Sequence, residues 1–156
     1  MKEKKTIALV AHDNRKQDLV EWVEWNYGIL VDFDLVCTGT TGRLVEETFM
    51  KKLTAKQKRT MMPKITKLMS GPLGGDQQLG AMITEGKIDI FIFLWDPMEP
   101  QPHDVDVKAL LRISALYNIP TAPNRSSADF IISSPLINED YEPMLKDYSG
   151  YITRKV

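Results

Sequence analysis

Apolar residues occur along this chain in two patterns. Thr6-Ile7-Ala8-Leu9-Val10-Ala11, Phe33-Asp34-Leu35-Val36-Cys37 and Ile88-Asp89-Ile90-Phe91-Ile92-Phe93-Leu94-Trp95 are short runs with almost no alternation. A strand that is apolar at successive positions is buried on both faces, as in a parallel sheet. Between these runs the apolar positions take helical spacing. Lys16 to Trp25 carries Leu19, Val20, Trp22 and Val23 among Lys16, Asp18, Glu21 and Glu24. Arg43 to Phe49, Asp76 to Glu85 and Val107 to about Asn118 read as helices too. Ile65 to Met69 and Ile119-Pro120-Thr121-Ala122 are shorter strand candidates. Ser126-Ser127-Ala128-Asp129 looks like a capped helix start leading into Phe130-Ile131-Ile132.

Strand and helix thus alternate about five times. The pattern predicts a three-layer α/β/α domain with a mostly parallel, about five-stranded sheet, one domain over residues 1–156. In such sheets ligands bind outside the carboxyl ends of the strands. Four polar stretches follow strand candidates: His12-Asp13, Thr38 to Thr41, Ser70 to Asp76, and Asp96 to Asp106. They are expected to gather on one edge, and both histidines, His12 and His103, fall within them.

Two of these stretches have chemistry of their own. Ser70-Gly71-Pro72-Leu73-Gly74-Gly75 cannot continue a helix or a central strand. It reads as a tight loop feeding a helix N-terminus, which suits an anion or an oxyanion. The plainer alternative is an ordinary loop with Asp76 as a helix cap. Thr38-Gly39-Thr40-Thr41-Gly42 offers hydroxyls and backbone N–H groups together, which suits a phosphate dianion. Its plainer alternative is a turn capped by Thr41. Asp13 or Asn14 can cap the helix that follows the first strand. Neither the GxxxxGK[ST] loop nor the GxGxxG fingerprint is present.

Composition narrows the field. The formal net charge is -1, so nothing suggests bulk attraction to nucleic acid or membranes. The lone cysteine, Cys37, excludes an internal disulfide and reads as a small buried apolar residue in a reducing compartment. No apolar run approaches the ~20 residues of a membrane span. The basic amino terminus, Met1 to Lys5, precedes an apolar run too short for a secretion signal. A soluble cytoplasmic domain is expected. Residues 51–67 hold Lys51, Lys52, Lys56, Lys58, Arg59, Lys64 and Lys67 without an acid. That segment reads as a solvated excursion with a helical turn or two around Thr54 to Arg59, or as a surface for phosphate or a subunit. The tail, Asn138 to Val156, is polar and weakly patterned. No zinc set is visible, although carboxylates alone could hold Mg²⁺ weakly. The inventory fits proton abstraction from a small phosphorylated carbonyl compound, with Asp or His as base.

The runs Ala8-Leu9-Val10-Ala11-His12-Asp13 with Lys16, Thr38 to Gly42, Ser70-Gly71-Pro72-Leu73-Gly74-Gly75-Asp76-Gln77-Gln78, and Trp95-Asp96-Pro97 with Pro102-His103-Asp104 and Asp106 to Leu110 closely resemble those of methylglyoxal synthases. The likeness extends through Ala128 to Ile132 and leaves out about Thr48 to Lys64 and the tail. It implies a lyase that converts dihydroxyacetone phosphate to methylglyoxal and inorganic phosphate without a cofactor. It also implies a homohexamer inhibited by phosphate. By motif, Asp76 is the catalytic base, His103 the electrophile and Asp106 a supporting group. Lys16, Thr38, Gly39, Thr40, Thr41, Ser70 and Gly71 form the phosphate and substrate cradle, with His12 beside them. Asp13 and Asp96 line the pocket. The 51–67 segment looks longer than the family's usual connection, and Pro123-Asn124-Arg125 departs from its usual turn.

Two other classes compete. The architecture also resembles the regulatory domain of carbamoyl phosphate synthetase, which binds effectors and needs a cradle but no base. A flavodoxin-type flavin carrier is the other rival, disfavoured because the aromatics fall mainly in helices and strands.

Overall fold

The computed structural model describes residues 4–100 and 102–152, so the ends of the basic amino terminus and of the polar tail lie outside the described residues. In chain order the elements are β1 (Thr6–Ala11), α1 (Lys16–Leu30), β2 (Asp34–Cys37), α2 (Gly39–Lys52), α3 (Ala55–Met61), β3 (Ile65–Lys67), α4 (Gly75–Thr84), β4 (Ile90–Leu94), α5 (Asp104–Leu116), β5 (Thr121–Ala122), α6 (Arg125–Ser133) and α7 (Ser149–Ile152). Short 3₁₀ turns occupy Asp13–Arg15, Gly71–Leu73 and Pro135–Asn138.

The five strands form one sheet in the order β3-β2-β1-β4-β5, and every pairing is parallel. β1 is central, with Leu9 level with Cys37 of β2 and Ile92 of β4. From β1 the chain first builds outward to β2 and β3, then returns to lay down β4 on the other side of β1. The loops leaving β1 and β4 therefore diverge and open a crevice at their carboxyl ends.

Successive side chains of a strand point to opposite faces, and the core divides accordingly. Ile7, Leu9, Leu35, Ile90 and Ile92 pack with Leu19, Trp22 and Val23 of α1, Val45 and Phe49 of α2 and Ile132 of α6. Ala8, Val10, Val36, Phe91 and Phe93 pack with Leu79 and Ile83 of α4 and Val107 and Leu110 of α5. The three expected layers are present, and the sheet is entirely parallel.

Several boundaries differ from the sequence reading. α1 runs past Trp25 to Leu30, carried through Gly28 by the buried Asn26 and Leu30. Neither Asp13 nor Asn14 caps it: both sit in the 3₁₀ turn before it, and Arg15 holds the N-cap position. α2 starts at Gly39, not Arg43, so the threonines lie within its first turn and Thr38, not Thr41, is the N-cap residue. The Leu68 N–H donates to the Cys37 carbonyl at 2.8 Å, although β3 itself closes at Lys67. α5 begins at Asp104, before the first apolar position of its stripe. The cap of α6 is Asn124, whose side chain accepts the Ser127 N–H at 2.9 Å. The basic segment does hold a short helix, α3, opened by a capping box between Thr54 and Gln57. Part of the polar tail is tied down: Lys5 Nζ donates to the carbonyls of Leu136, Ile137 and Glu139.

Candidate active site

The residues singled out from the sequence meet in a cleft of about 240 Å³ at the carboxyl edge of the sheet. His12, Asp13, Lys16, Thr38, Gly39, Thr40, Thr41, Ser70, Gly71, Asp76 and His103 all line it. Asp96 and Asp106 do not.

β1 delivers His12. Its backbone N–H extends the ladder to the Leu94 carbonyl at 3.1 Å. The ring stands edge-on to Phe93 at 5.2 Å between centroids and to His103 at 5.7 Å. The Asp96 backbone N–H donates to His12 Nδ1 at 3.2 Å. A nitrogen that accepts carries no proton, so neutral His12 bears its proton on Nε2. Nε2 is buried without a protein partner among the described residues. Burial first, and then the neighbouring His103, lower the His12 pKa below its ordinary 6.5, against the raising pull of nearby carboxylates. At neutral pH His12 is thus an uncharged donor aimed by the backbone.

Asp96 was expected in the pocket wall, but it stands behind it. Its carboxylate accepts from Asn14 Nδ2 at 3.1 Å and from the Met98 N–H at 3.0 Å, and these bonds hold its pKa low. Glu99 accepts from the same Asn14 amide.

Lys16, in the first turn of α1, reaches across to α2. Its Nζ lies 2.6 Å from Asp13 Oδ1 and 2.7 Å from Thr40 Oγ1. Lys16 is the main reason the Asp13 carboxyl is held below its ordinary range. Gly39 has φ +52°, a left-handed conformation that favours glycine. A side chain there would also meet the Ser70 Cα and Cβ at 3.1 Å. The Gly39 N–H donates to the Met69 carbonyl at 3.1 Å, which locks the threonine turn to the Ser70 loop. The side chains of Thr38 and Ser70 make no cap bond to their own helices.

Asp76 sits in the first turn of α4 and is 4% exposed, with Oδ2 lacking a hydrogen-bond partner among the described residues. It is not the N-cap, which is Gly74 in the left-handed region at φ +109°. Burial raises its pKa above the ordinary 3.8; His103 opposes this and Asp106 adds to it. His103 occupies the N-cap position of α5, and its Nε2 lies 3.6 Å from Asp76 Oδ2. That separation is beyond a hydrogen bond, so both groups face a common space. Gly71 borders that space: a Cβ there would come within 3.1 Å of both Asp76 Oδ1 and His103 Nε2.

Asp104 and Asp106, close to His103 in the chain, are acids able to accept its ring N–H. His103 Nδ1 is instead buried with no protein partner among the described residues, and both aspartates belong to the first turn of α5. Asp106 acts on the site through its field on Asp76. Phe93, which lines the cleft, and Asn14, which holds the Asp96 carboxylate, were missed. Phe93 was legible in principle, because every second residue of β4 points to one face. Among the described residues no group of three His, Cys, Asp or Glu side chains is placed to hold a metal ion.

A buried carboxylate of raised basicity, two imidazoles, and a cradle of an ammonium, hydroxyls and helix N-termini make a site for deprotonating carbon in an anionic substrate. A family model described as the MGS-like domain matches residues 18–122, which takes in every lining residue named above except His12, Asp13 and Lys16. The chain is 55% identical to a methylglyoxal synthase of Maridesulfovibrio salexigens, with 100% of both chains covered. It is 52% identical to one from Oleidesulfovibrio alaskensis, covering 99% of this chain and 97% of that protein. The crystal structure of methylglyoxal synthase from Elizabethkingia anophelis NUHP1 superposes with a TM-score of 0.84 at 49% identity, covering 100% of this chain and 95% of that one.

Proposed function

The chain belongs to the methylglyoxal synthase family, and from that membership we propose that it is a lyase converting dihydroxyacetone phosphate to methylglyoxal and inorganic phosphate. The observation that carries the reading is the pair Asp76 and His103, held 3.6 Å apart and facing one cleft beside the Lys16 and threonine cradle.

In this reading Lys16, Thr38, Gly39, Thr40, Thr41, Ser70 and Gly71 hold the phosphate. A dianion bound by several charge-assisted hydrogen bonds is fixed in position and in torsion. Asp76 takes a proton from the hydroxymethyl carbon next to the carbonyl. Burial raises its basicity, which helps a weak base remove a proton from carbon. The electron pair of the broken C–H bond moves onto the carbonyl oxygen, giving an enediolate. His103 Nε2 and the His12 Nε2–H are the donors placed to stabilise it. The enediolate pair then expels phosphate as the C–O bond breaks. That bond must stand out of the enediolate plane, so the cradle's grip on the phosphate torsion selects elimination over simple reprotonation. The proton held by Asp76 leaves with the phosphate, and the resulting enol gains a proton at its terminal carbon as it loses its hydroxyl proton, becoming methylglyoxal.

An effector-binding domain would need the cradle and not a buried, electrostatically disfavoured carboxylate. The buried Asp76 therefore supports the enzyme reading. The whole chain acts as one cytoplasmic domain in this proposal, without a cofactor, as a homohexamer inhibited by phosphate. Among the described residues no helix is long and apolar enough to cross a membrane. Incubation with dihydroxyacetone phosphate, following inorganic phosphate and a trapped dicarbonyl together, tests the reaction. Phosphate release without dicarbonyl would refute it. Light scattering on the purified protein tests the assembly.

A further inference from the structure

Gln78 is the last residue of the glycine-rich motif and has no part in the chemistry above. Among the described residues its side chain makes one hydrogen bond: Oε1 accepts the Met69 backbone N–H at 2.8 Å. Met69 is where three parts of the site join. Its carbonyl accepts the Gly39 N–H at 3.1 Å, which ties it to the threonine turn. The same carbonyl abuts Gly75, where a Cβ would fall 2.0 Å from it. The next residue, Ser70, begins the loop of the cradle, and its carbonyl accepts the Gly75 N–H at 2.9 Å. The Met69 peptide is thus pressed against the helix that carries Asp76 and bound to the turn that carries Thr40 and Thr41. No further protein group among the described residues holds its N–H.

We propose that Gln78 is a positioning residue that fixes the Met69 peptide and thereby sets the Ser70–Gly71 limb of the phosphate cradle relative to Asp76. The proposal rests on the functional reading above for its substrate. The geometry has a direct neighbour for comparison. Gln77 belongs to the same helix and motif, is exposed as Gln78 is, and makes no side-chain hydrogen bond among the described residues. A glutamine-to-leucine change at either position alters polarity and helix propensity in the same way. Only at Gln78 does it remove the acceptor.

The test compares Gln78→Leu, Gln78→Glu, Gln77→Leu and the unaltered full chain. Inorganic phosphate affinity is measured by calorimetry, amide exchange at Met69 by NMR, and KM and kcat with dihydroxyacetone phosphate. A single neutral hydrogen bond predicts a weakening of phosphate affinity and a rise in KM of about three- to tenfold in Gln78→Leu. Faster exchange at Met69 and an unchanged pH profile should accompany it. Gln78→Glu keeps an acceptor oxygen and should restore slow exchange at Met69. Gln77→Leu should match the unaltered chain. Equal phosphate affinity in Gln78→Leu and Gln77→Leu would overturn the proposal, as would a loss in Gln78→Leu that tracks a fall in thermal midpoint while Met69 exchange stays slow. An unaltered chain that forms no methylglyoxal would overturn the functional reading instead, and phosphate affinity with Met69 exchange would still decide the part of Gln78.

Discussion

His103 Nε2 lies 3.6 Å from Asp76 Oδ2, and the two make no hydrogen bond. A short, direct bond would have spent the carboxylate's basicity on the imidazole. Set apart across the bare backbone of Gly71, both can act on one small molecule: the carboxylate on a C–H proton, the imidazole on an oxygen. The separation leaves the buried Asp76 Oδ2 without a hydrogen-bond partner among the described residues.

Asp76→Asn should lower kcat by about 10²- to 10⁴-fold, the usual worth of a general base. It should also stabilise the fold at neutral pH. The folded-state pKa of Asp76 is raised above 3.8, so ionisation is harder in the folded chain than in the unfolded one. Its favourable contribution is present below the unfolded pKa and is lost as pH rises through the folded pKa. Asparagine escapes that loss. Thermal melts should show a higher midpoint for the variant at pH 7 and a shrinking gap toward pH 3.8. A destabilised variant would mark Asp76 as a structural residue.

Asp106→Asn should move the acid limb of the kcat/KM profile to lower pH. The Asp106 charge raises the Asp76 pKa, and its removal lets Asp76 ionise more readily. The base then becomes weaker, so the plateau should fall modestly while the limb shifts. An acid limb that stays in place would refute electrostatic coupling between the two carboxyls.

Gly71→Ala and Gly75→Ala should separate site from scaffold. At Gly71 the new methyl would crowd Asp76 Oδ1 and His103 Nε2 at 3.1 Å, so activity should collapse with the melting temperature nearly kept. At Gly75 it would meet a backbone carbonyl at 2.0 Å, which nothing flexible can relieve. That variant should lose at least about 2 kcal/mol of stability, as expected for forced overpacking. Chemical denaturation of both reads the contrast; equal stability losses would sink it.

Lys16→Met should raise KM for substrate and weaken phosphate inhibition together. The methionine keeps the apolar stem and deletes the ammonium that binds Asp13 and Thr40. A charge-assisted bond to phosphate is worth about 1.5–3 kcal/mol, which corresponds to roughly 10- to 150-fold in affinity. Steady-state kinetics with and without added phosphate measures it. An effect on kcat alone would place Lys16 outside the cradle.

His103→Gln should slow proton abstraction and change the fate of the intermediate. With a poorer electrophile the enediolate is held more loosely and regains a proton before phosphate departs. Deuterium from heavy water should then enter recovered dihydroxyacetone phosphate in greater proportion to phosphate release. Normal kcat with only a raised KM would reduce His103 to a binding group.

The sheet was legible because unbroken apolar runs have few other homes. The buried Ile90 to Leu94 run could hardly be anything but a strand covered on both sides. Helix starts were harder, since they are set by backbone geometry that sequence periodicity does not reach. α2 opens at Gly39, a residue at positive φ that the loop requires, and no apolar position announces it. α5 likewise opens on Asp104, ahead of its apolar stripe. At the site, the motif residues other than Asp96 and Asp106 converged on one cleft. The links between them, Asn14 to Asp96 and Gln78 to Met69, join polar side chains to distant carboxylates or main chain and leave no periodic trace.

Cys37 ends β2 immediately before the cradle, fully buried, with burial pushing its thiol pKa up to about 12. Reactive dicarbonyls modify thiolates and free amines. The only thiol in the chain is thus kept protonated and out of reach. Among the described residues the amine lining the cleft is that of Lys16, and its Nζ is engaged by Asp13 and Thr40. Mass spectrometry after prolonged turnover should find both residues unmodified, with adducts confined to exposed lysines and arginines. A cleft so furnished offers little at its centre for a dicarbonyl product to poison.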